Sequence, residues 1–437
     1  MTPTHPTADV QPHGLLERHL VREIPEALES AKVVNIVGPR QSGKTTLVRD
    51  LFREGAFVTL DDENVLAAIE ADPQGQLKLL ARDADGRPVI IDEAQRSRKL
   101  PLAIKKLVDE RPQSGQFVLT GSSNIFAGAH VADSLAGRVR TLKLLPLSSS
   151  EIKRAAPATL LDWAQLGADP AALPAAVASS RETCLDLIVR GGYPVIRTLS
   201  DRPRARRYRD YVDAIVDRDV AYVMPIRKTD AMRRLIEQTA ARSGQELRIK
   251  DLCDSLSLRR ETVENYLDVL HRLSLATRLG AWTSGAARRE VKHPKLHMLD
   301  AGLAAALRNL TAADFAPGAH PEVLGGLLES WAHAELIKNL SYQQNNWRLY
   351  HWRGEHGREI DLIAETHRTL VCFEIKASTT IESSDFKHLR YFLSDGPGKT
   401  WDVVGIVVYL GEQVLTFGDR LIALPLSIFW SFRRDAE

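Results

Sequence analysis

Cysteine, aromatic residues and long apolar runs are all scarce in this 437-residue chain. No apolar stretch approaches the roughly 20 residues needed to cross a bilayer. The opening MTPTHPTADVQPHGLLERHL lacks the basic and apolar regions of a secretory signal. The expectation is therefore a cytoplasmic protein without a membrane partner. Cys184, Cys253 and Cys372 are odd in number and far apart, which excludes a disulfide framework and a zinc-ligand spacing and predicts buried, reduced thiols. The 13 histidines show no HExxH spacing, and no Ser-His-Asp arrangement is legible. Net charge is only +2, so the total gives no reason to invoke nucleic acid. The distribution says more, because residues 181–300 hold 24 Lys+Arg against 17 Asp+Glu. With 44% apolar residues the chain has ample core, and its length suggests about three domains.

What the chain does contain is alternation. Residues 14–30 place apolar and charged side chains at helical spacing, and KVVNIVG (32–38) is a compact apolar run ending in glycine, the pattern of a buried parallel strand. Further strands are predicted at AFVTLDD (56–62), RPVIIDEAQ (87–95) and GQFVLTGSS (115–123), with helix-like segments such as 98–110 between them. Strands alternating with helices predict a three-layer α/β domain around a parallel sheet, closed by a strand within LAGRVRTLKLLPLSSSEI (135–152). Residues 155–180 are rich in Ala and Pro, and 181–242 are helical and Arg-rich. The segment from Glu246 to Trp282 predicts a short helix, a turn near Ser257, and a longer helix with Val263, Leu267, Leu270 and Leu273 on one face. That is a helix-turn-helix pattern. Two strands joined by a basic turn after it would make a winged helix. A last α/β unit spans 322–430.

GPRQSGKTT, Gly38 to Thr46, fits G-x-x-x-x-G-K-[ST] between a strand and a helix. In the loop Gly38, Pro39, Arg40, Gln41, Ser42 and Gly43 the glycines are expected to let backbone N–H groups, which every residue but Pro39 carries, turn around phosphates, with the helix N-terminus adding a favourable dipole. Lys44 is expected to reach the β- and γ-phosphates, Thr45 to ligate Mg2+, and Thr46 to line the nucleotide site. VIIDEAQ (89–95) ends an apolar strand in two acids. Asp92 can hold the magnesium through water, and Glu93 can orient and deprotonate the attacking water. These elements together point to ATP. Ser123 or Asn124, at the end of a third strand, can hydrogen-bond the γ-phosphate or the lytic water. Arg138 and Arg140 in AGRVR are candidates for an arginine finger in cis or in trans, against the plainer reading as surface arginines.

With GPRQSGKTTL, VTLDD, VIIDEAQ, FVLTGSSN, SLAGRV and the later GGYP, the chain resembles an AAA-type family of prokaryotic P-loop ATPases that carry a C-terminal domain of uncharacterised function. KHPKLHMLDAGL and DFKHLRYFL extend the resemblance over nearly the whole length. It implies ATP hydrolysis and raises the expectation of a homo-oligomer, and leaves the biological task open.

The stretch GREIDLIAETHRTLVCFEIKAS (357–378) sets Asp361 in one apolar run and Glu374 and Lys376 in the next. Charge inside strand-like runs is costly unless paired or bound to a metal. Asp361 with Glu374-Ile375-Lys376 resembles the core of PD-(D/E)xK nucleases, which implies a restriction-endonuclease-like fold. Neighbouring antiparallel strands would bring the two acids together, and Mg2+ or Mn2+ between them would relieve their repulsion and activate a water. Lys376, two residues after Glu374, would share its face. Glu329 on a preceding helix is the further candidate ligand, with Glu335 competing. The alternative is a nuclease-like fold that keeps only an ion pair.

Arg259 and Arg260 fall at the start of the second helix of the helix-turn-helix, where DNA is met. Arg288, Arg289 and Lys292 on the wing could contact phosphates, whereas RPRARRYRD (202–210) reads as an exposed helix face and His351 and Trp352 as packing. The expected layout is a P-loop AAA-type ATPase domain (1–154), a linker and helical region (155–242), a winged helix-turn-helix (243–320) and a nuclease-like α/β domain (321–437). The expected activity is that of a Mg-ATP-dependent ATPase coupled to DNA. The alternative is a nucleotide-switched protein whose nuclease-like domain is inert and binds a protein partner.

Overall fold

A computed structural model describes residues 16–126, 137–169, 178–224, 228–284, 293–316, 321–342 and 346–431. The chain divides into two compact units, Met1–Pro146 and Leu147–Glu437.

The first unit is a parallel sheet of β1 (Val33–Val37), β2 (Ala56–Thr59), β3 (Val89–Asp92), β4 (Phe117–Gly121) and β5 (Val139–Lys143), in the order β2-β3-β4-β1-β5. β1, β3 and β4 are buried along their whole length, which is why they read as continuous apolar runs rather than alternating ones. Among the described residues, α1 (Ile24–Ser30), α2 (Lys44–Leu51), α3 (Glu63–Ala71), α4 (Pro73–Asp83) and α5 (Leu100–Glu110) link or flank the strands. α5 buries Leu100, Ala103, Ile104, Leu107 and Val108, the helical spacing that turns one stripe to the sheet. α3 starts where the Asp62 carboxylate accepts from the N–H groups of Asn64 and Val65. Each predicted strand of this unit is present, and β4 sits between the strand that feeds the phosphate loop and the strand that ends in Asp92.

The second unit begins at Leu147. Ser148 caps the short helix Ser149–Ile152 in a reciprocal capping box with Glu151, and the Ser149 N–H donates to Glu335 at 2.8 Å. The helices α6 (Arg181–Arg190), α7 (Asp201–Ala214), α8 (Thr229–Ala241), α9 (Ile249–Leu256), α10 (Arg260–Arg272), α11 (Ala301–Leu307), α12 (Pro321–Ser341) and α13 (Lys387–Ser394) organise it. β6 (Gln245–Glu246), β7 (Ala276–Leu279) and β8 (Lys295–Met298) form an antiparallel sheet in the order β6-β8-β7, beside the α9–α10 pair. The turn between α9 and α10 passes through Ser257 in the left-handed region, φ 54°.

β9 (Arg348–Arg353), β10 (Glu359–Thr366), β11 (Thr369–Lys376), β12 (Asp402–Tyr409), β13 (Leu415–Thr416) and β14 (Leu421–Pro425) build a six-stranded mixed sheet in the order β13-β14-β12-β11-β10-β9. β9–β11 are antiparallel neighbours, and β11, β12 and β14 run parallel. The regions expected as separate domains from 155 onward share one apolar core that runs from Ala158 to Trp430. A second cluster ties the β7 exit to the large sheet: Trp282 is fully buried against Phe392 and Trp401 and donates to Glu365 at 2.5 Å. Cys184 and Cys372 are buried, Cys253 is half-buried, and all three are free thiols. Among the described residues no helix is long and apolar enough to cross a membrane.

Candidate functional site

The phosphate loop leaves β1 at Gly38 and enters α2 at Lys44. Gln41 and Gly43 take left-handed backbone, φ 61° and 98°, so the chain reverses within six residues. Gly38 admits no side chain, because a Cβ there would lie 2.0 Å from the Leu144 carbonyl oxygen. The Lys44 ammonium is buried and donates to the carbonyls of Gly38 and Pro39, both at 3.0 Å. The Ser42 hydroxyl is fully buried with no hydrogen-bond partner, a donor aimed at nothing the protein supplies.

Asp92 sits at the C-terminal end of β3, with its two carboxylate oxygens each 3.0 Å from the Thr45 hydroxyl. Thr120 on β4 also donates to it, and Thr59 on β2 lies 3.5 Å away. Three hydroxyls from α2, β4 and β2 thus orient one buried carboxylate, and only Thr45 was foreseen. A hydroxyl and a carboxylate meeting beside a phosphate-binding loop are the oxygen donors Mg2+ takes alongside phosphate and water, so these residues fit that ion.

Glu93 follows in left-handed backbone, φ 55°, which turns its side chain away from the strand direction. Burial pushes its carboxyl above the ordinary value, while Lys44 and a 2.6 Å hydrogen bond from Gln95 pull it back. At the end of β4 Asn124 accepts from Asn35 on β1 at 2.9 Å, and Ser123 lies beside it. Arg138 and Arg140 stand elsewhere. Arg140 pairs with Val34 at the start of β1, whereas the phosphate loop follows Val37 at its end. Arg138 forms an ion pair with Asp109 at 3.0 Å, and Arg140 with Glu26 at 2.9 Å. A strand of this length separates them from the phosphates by more than about 10 Å, so a finger in cis is corrected to surface ion pairs.

Sequence reasoning missed Arg18. Its buried guanidinium donates to the Ser42 carbonyl of the phosphate loop and to the Leu145 carbonyl beyond β5, each at 2.6 Å. Nothing near it in the chain marks it, since both acceptors are backbone oxygens distant in sequence.

The acid cluster of the second unit forms, with an unforeseen member. Leu362 pairs with Phe373, which sets Asp361 beside Glu374, and Asp361 Oδ2 accepts from the Ile375 N–H at 2.9 Å. Lys376 Nζ lies 2.9 Å from Glu374 Oε1. Glu329, near the middle of α12, faces the same pocket. Between Glu329 and Asp361 stands Lys295, the first residue of β8, with Nζ 2.8 Å from Glu329 Oε1 and 3.4 Å from Asp361 Oδ1. Burial, then Asp361, pushes the Glu374 carboxyl up to about 8, with Lys376 opposing. Burial and Asp361 likewise raise Glu329, while Glu329 and Asp361 outweigh burial to keep Lys295 protonated. Beside Glu329, the His297 and His333 rings lie 4.4 Å apart at a tilt of 32°, and burial holds both imidazoles neutral, His333 down to about 3.

The expected metal set of Asp361, Glu374 and Glu329 therefore does not fit an ion as it stands. Among the described residues no group of three or more His, Cys, Asp or Glu side chains is arranged to hold one. Glu335 is not a member of the cluster: it is ion-paired with Lys338 at 2.9 Å and accepts the Ser149 N–H. Arg259 and Arg260 are exposed at the start of α10, Arg260 paired with Glu264. Arg288, Arg289 and Lys292 lie outside the described residues. Trp352 is buried against Phe392, and His351 contacts the His293 carbonyl, so both serve packing.

Three family matches tile the chain: residues 30–153 match an AAA domain, 181–314 a Domain of unknown function (DUF8612), and 324–429 a Domain of unknown function (DUF4143). Uncharacterized proteins of Mycobacterium bovis and Mycobacterium tuberculosis are 28% identical over 425 residues, 96% of this chain and 86% of theirs. Among solved structures, a Walker-type ATPase of Pyrococcus abyssi aligns with 69% of this chain and 99% of its own at 14% identity and a TM-score of 0.42. A STAND signal-transduction ATPase with a tetratricopeptide repeat sensor from Pyrococcus horikoshii aligns with 78% and 51% at 13% identity and a TM-score of 0.29. The first unit is a parallel-sheet, P-loop ATPase-like domain that matches an AAA domain, and the sheet-rich C-terminal region matches a domain of unknown function.

Proposed function

We propose that the protein binds and hydrolyses Mg-ATP and that its second unit couples this turnover to DNA. The observation that carries the ATPase reading is the buried Asp92 carboxylate held against Thr45 at the mouth of the phosphate loop. Lys44 would exchange the Gly38 and Pro39 carbonyls for β- and γ-phosphate oxygens. Thr45 and Asp92 would hold Mg2+, which supplies neutralisation of phosphate charge. Glu93, with its raised proton affinity, would take the proton of the attacking water, and Asn124 or Ser123 would orient the γ-phosphate. Gln95, at 2.6 Å, sets where the Glu93 carboxylate rests between turnovers.

The helix-turn-helix of α9 and α10 with the β7–β8 pair has the element order of a winged helix, and exposed Arg259 and Arg260 at the α10 N-terminus supply the charge DNA contact requires. A homo-oligomer would let a neighbouring copy bring an arginine to the phosphates. ATP turnover with duplex, junction and single-stranded DNA tests the reading. Stimulation that vanishes in Lys44→Ala and weakens in Arg259→Ala/Arg260→Ala supports it. Glu93→Gln should keep nucleotide binding while kcat falls about 100-fold or more. Turnover that is indifferent to every DNA form, or that survives Lys44→Ala, removes it.

One observation favours a second reading. Lys295 inside the acid cluster suits a nuclease-like domain that binds rather than cuts, as in a nucleotide-switched interaction protein. Capture of one protein partner by the ATP form and not the ADP form, without nucleic acid, would select it.

A further inference from the structure

We propose that Lys295 is a built-in counter-cation that takes the place of a divalent ion among Asp361, Glu329 and Glu374, so that the native pocket binds no metal.

Each acid of the cluster already has a partner supplied by the chain. Asp361 uses one oxygen for the Ile375 N–H and the other for Lys295. Glu329 takes Lys295 at 2.8 Å, and Glu374 takes Lys376 at 2.9 Å. A divalent ion bridging Asp361 and Glu329 would sit at about 2.0–2.6 Å from their oxygens, in the space the ammonium fills. Two cations cannot share that space without strong repulsion.

The tether also favours the ammonium. Lys295 comes from the small sheet, where β8 is held on both sides by β6 and β7, and the Lys295 side chain is only 7% exposed. An internal cation fixed in this way acts at a high effective concentration, which a dissolved ion at millimolar level has to overcome. His297 Nε2, 3.8 Å from Glu329, and Glu374 Oε2 are buried without a hydrogen-bond partner, while His297 Nδ1 is engaged with the Ser330 hydroxyl at 3.0 Å; a neutral imidazole brings no negative charge, so it does not help an ion displace the ammonium. Three carboxyls drawn together by β10, β11 and α12 would otherwise repel, and the lysine supplies the charge that lets them stay buried. This deepens the reading in which the second unit binds rather than cuts. Its readout is metal uptake, so the failure of DNA-coupled turnover and the failure of this inference are seen in different measurements.

The test is a Mn2+ titration of the full chain without nucleotide, following the electron paramagnetic resonance signal of the free aqua ion. Wild type and Asp361→Asn should take up Mn2+ identically. Lys295→Met, which keeps the length of the side chain without its charge, should bind one further ion per chain, and Lys295→Met/Asp361→Asn should lose it. Circular dichroism and basal ATP turnover report that the variants are folded. The inference is overturned if wild type holds a saturable Mn2+ that Asp361→Asn removes, or if folded Lys295→Met gains no ion. Should Lys295→Met not fold, the comparison of wild type with Asp361→Asn decides by itself.

Discussion

Arg18→Ala removes a brace that lies outside the nucleotide motif yet sets its geometry. A peptide unit is planar and trans, so the carbonyl of Ser42 and the N–H of Gly43 point in opposite directions. By holding the Ser42 oxygen at 2.6 Å, Arg18 turns the Gly43 N–H toward the side where phosphate binds. Its other hydrogen bond, to Leu145, anchors the guanidinium to the chain that follows β5. Hydrogen bonds to a charged donor contribute about 1.5–3 kcal/mol each, and truncation leaves two buried carbonyls unpaired, so the folded state should lose about 3–5 kcal/mol. The part that belongs to the loop is one such bond. Orienting Gly43 on binding would then cost about 2 kcal/mol, a weakening of nucleotide Kd of about 10- to 100-fold. Arg18→Lys should fall between, since one ammonium lacks the planar fork that reaches two carbonyls. Fluorescent-nucleotide titration measures the second quantity and urea denaturation the first. If Arg18→Ala is destabilised but binds nucleotide with unchanged Kd where it is still folded, the brace holds the unit together without positioning the loop, and the argument fails.

Other consequences follow from burial in the second unit. His333 has its folded pKa lowered to about 3 by burial, against about 6.5 in the unfolded chain. Below pH 6.5 the unfolded state then binds the extra proton, so stability falls with pH, by about 2 kcal/mol at pH 5. His333→Phe should flatten this limb in urea melts at pH 7.5 and 5, and an unchanged slope refutes the assignment. Trp282→Ala should cost about 3–5 kcal/mol, because a fully buried indole between Phe392 and Trp401 is lost together with its hydrogen bond to Glu365. A loss under about 1 kcal/mol in the denaturation midpoint would mean that the β7 exit is not held there.

The nucleotide half was legible because its chemistry is local. Gly38 to Thr46 is a continuous loop and helix start, and Asp92 ends a strand whose apolar run is visible in the chain, so pattern and position coincide. Thr120 and Thr59 were not, since a threonine at a strand end has no period or spacing that distinguishes a ligand of a carboxylate from an ordinary β-former. Arg138 misled for a related reason. AGRVR follows the third polar strand end closely in sequence, but the parallel connection returns the chain to the opposite end of the sheet before β5 begins, where Val33 pairs with Val139.

The acid cluster shows the same limit more sharply. Asp361, Glu374 and Lys376 share one hairpin, and strand alternation was enough to place them on one face. The cation that meets Asp361 and Glu329 is 66 residues before Asp361, on a strand of another sheet. Within KHPKLHMLD, Lys295 is one of two lysines flanking a proline, with nothing to separate a buried counter-ion from a solvated turn. The charge requirement could be read from the sequence, since two acids in apolar strands demand a cation. Which cation answers it depends on packing: the β6-β8-β7 pairing delivers an ammonium to the spot, and that long-range contact decides between a metal centre and a closed ionic core.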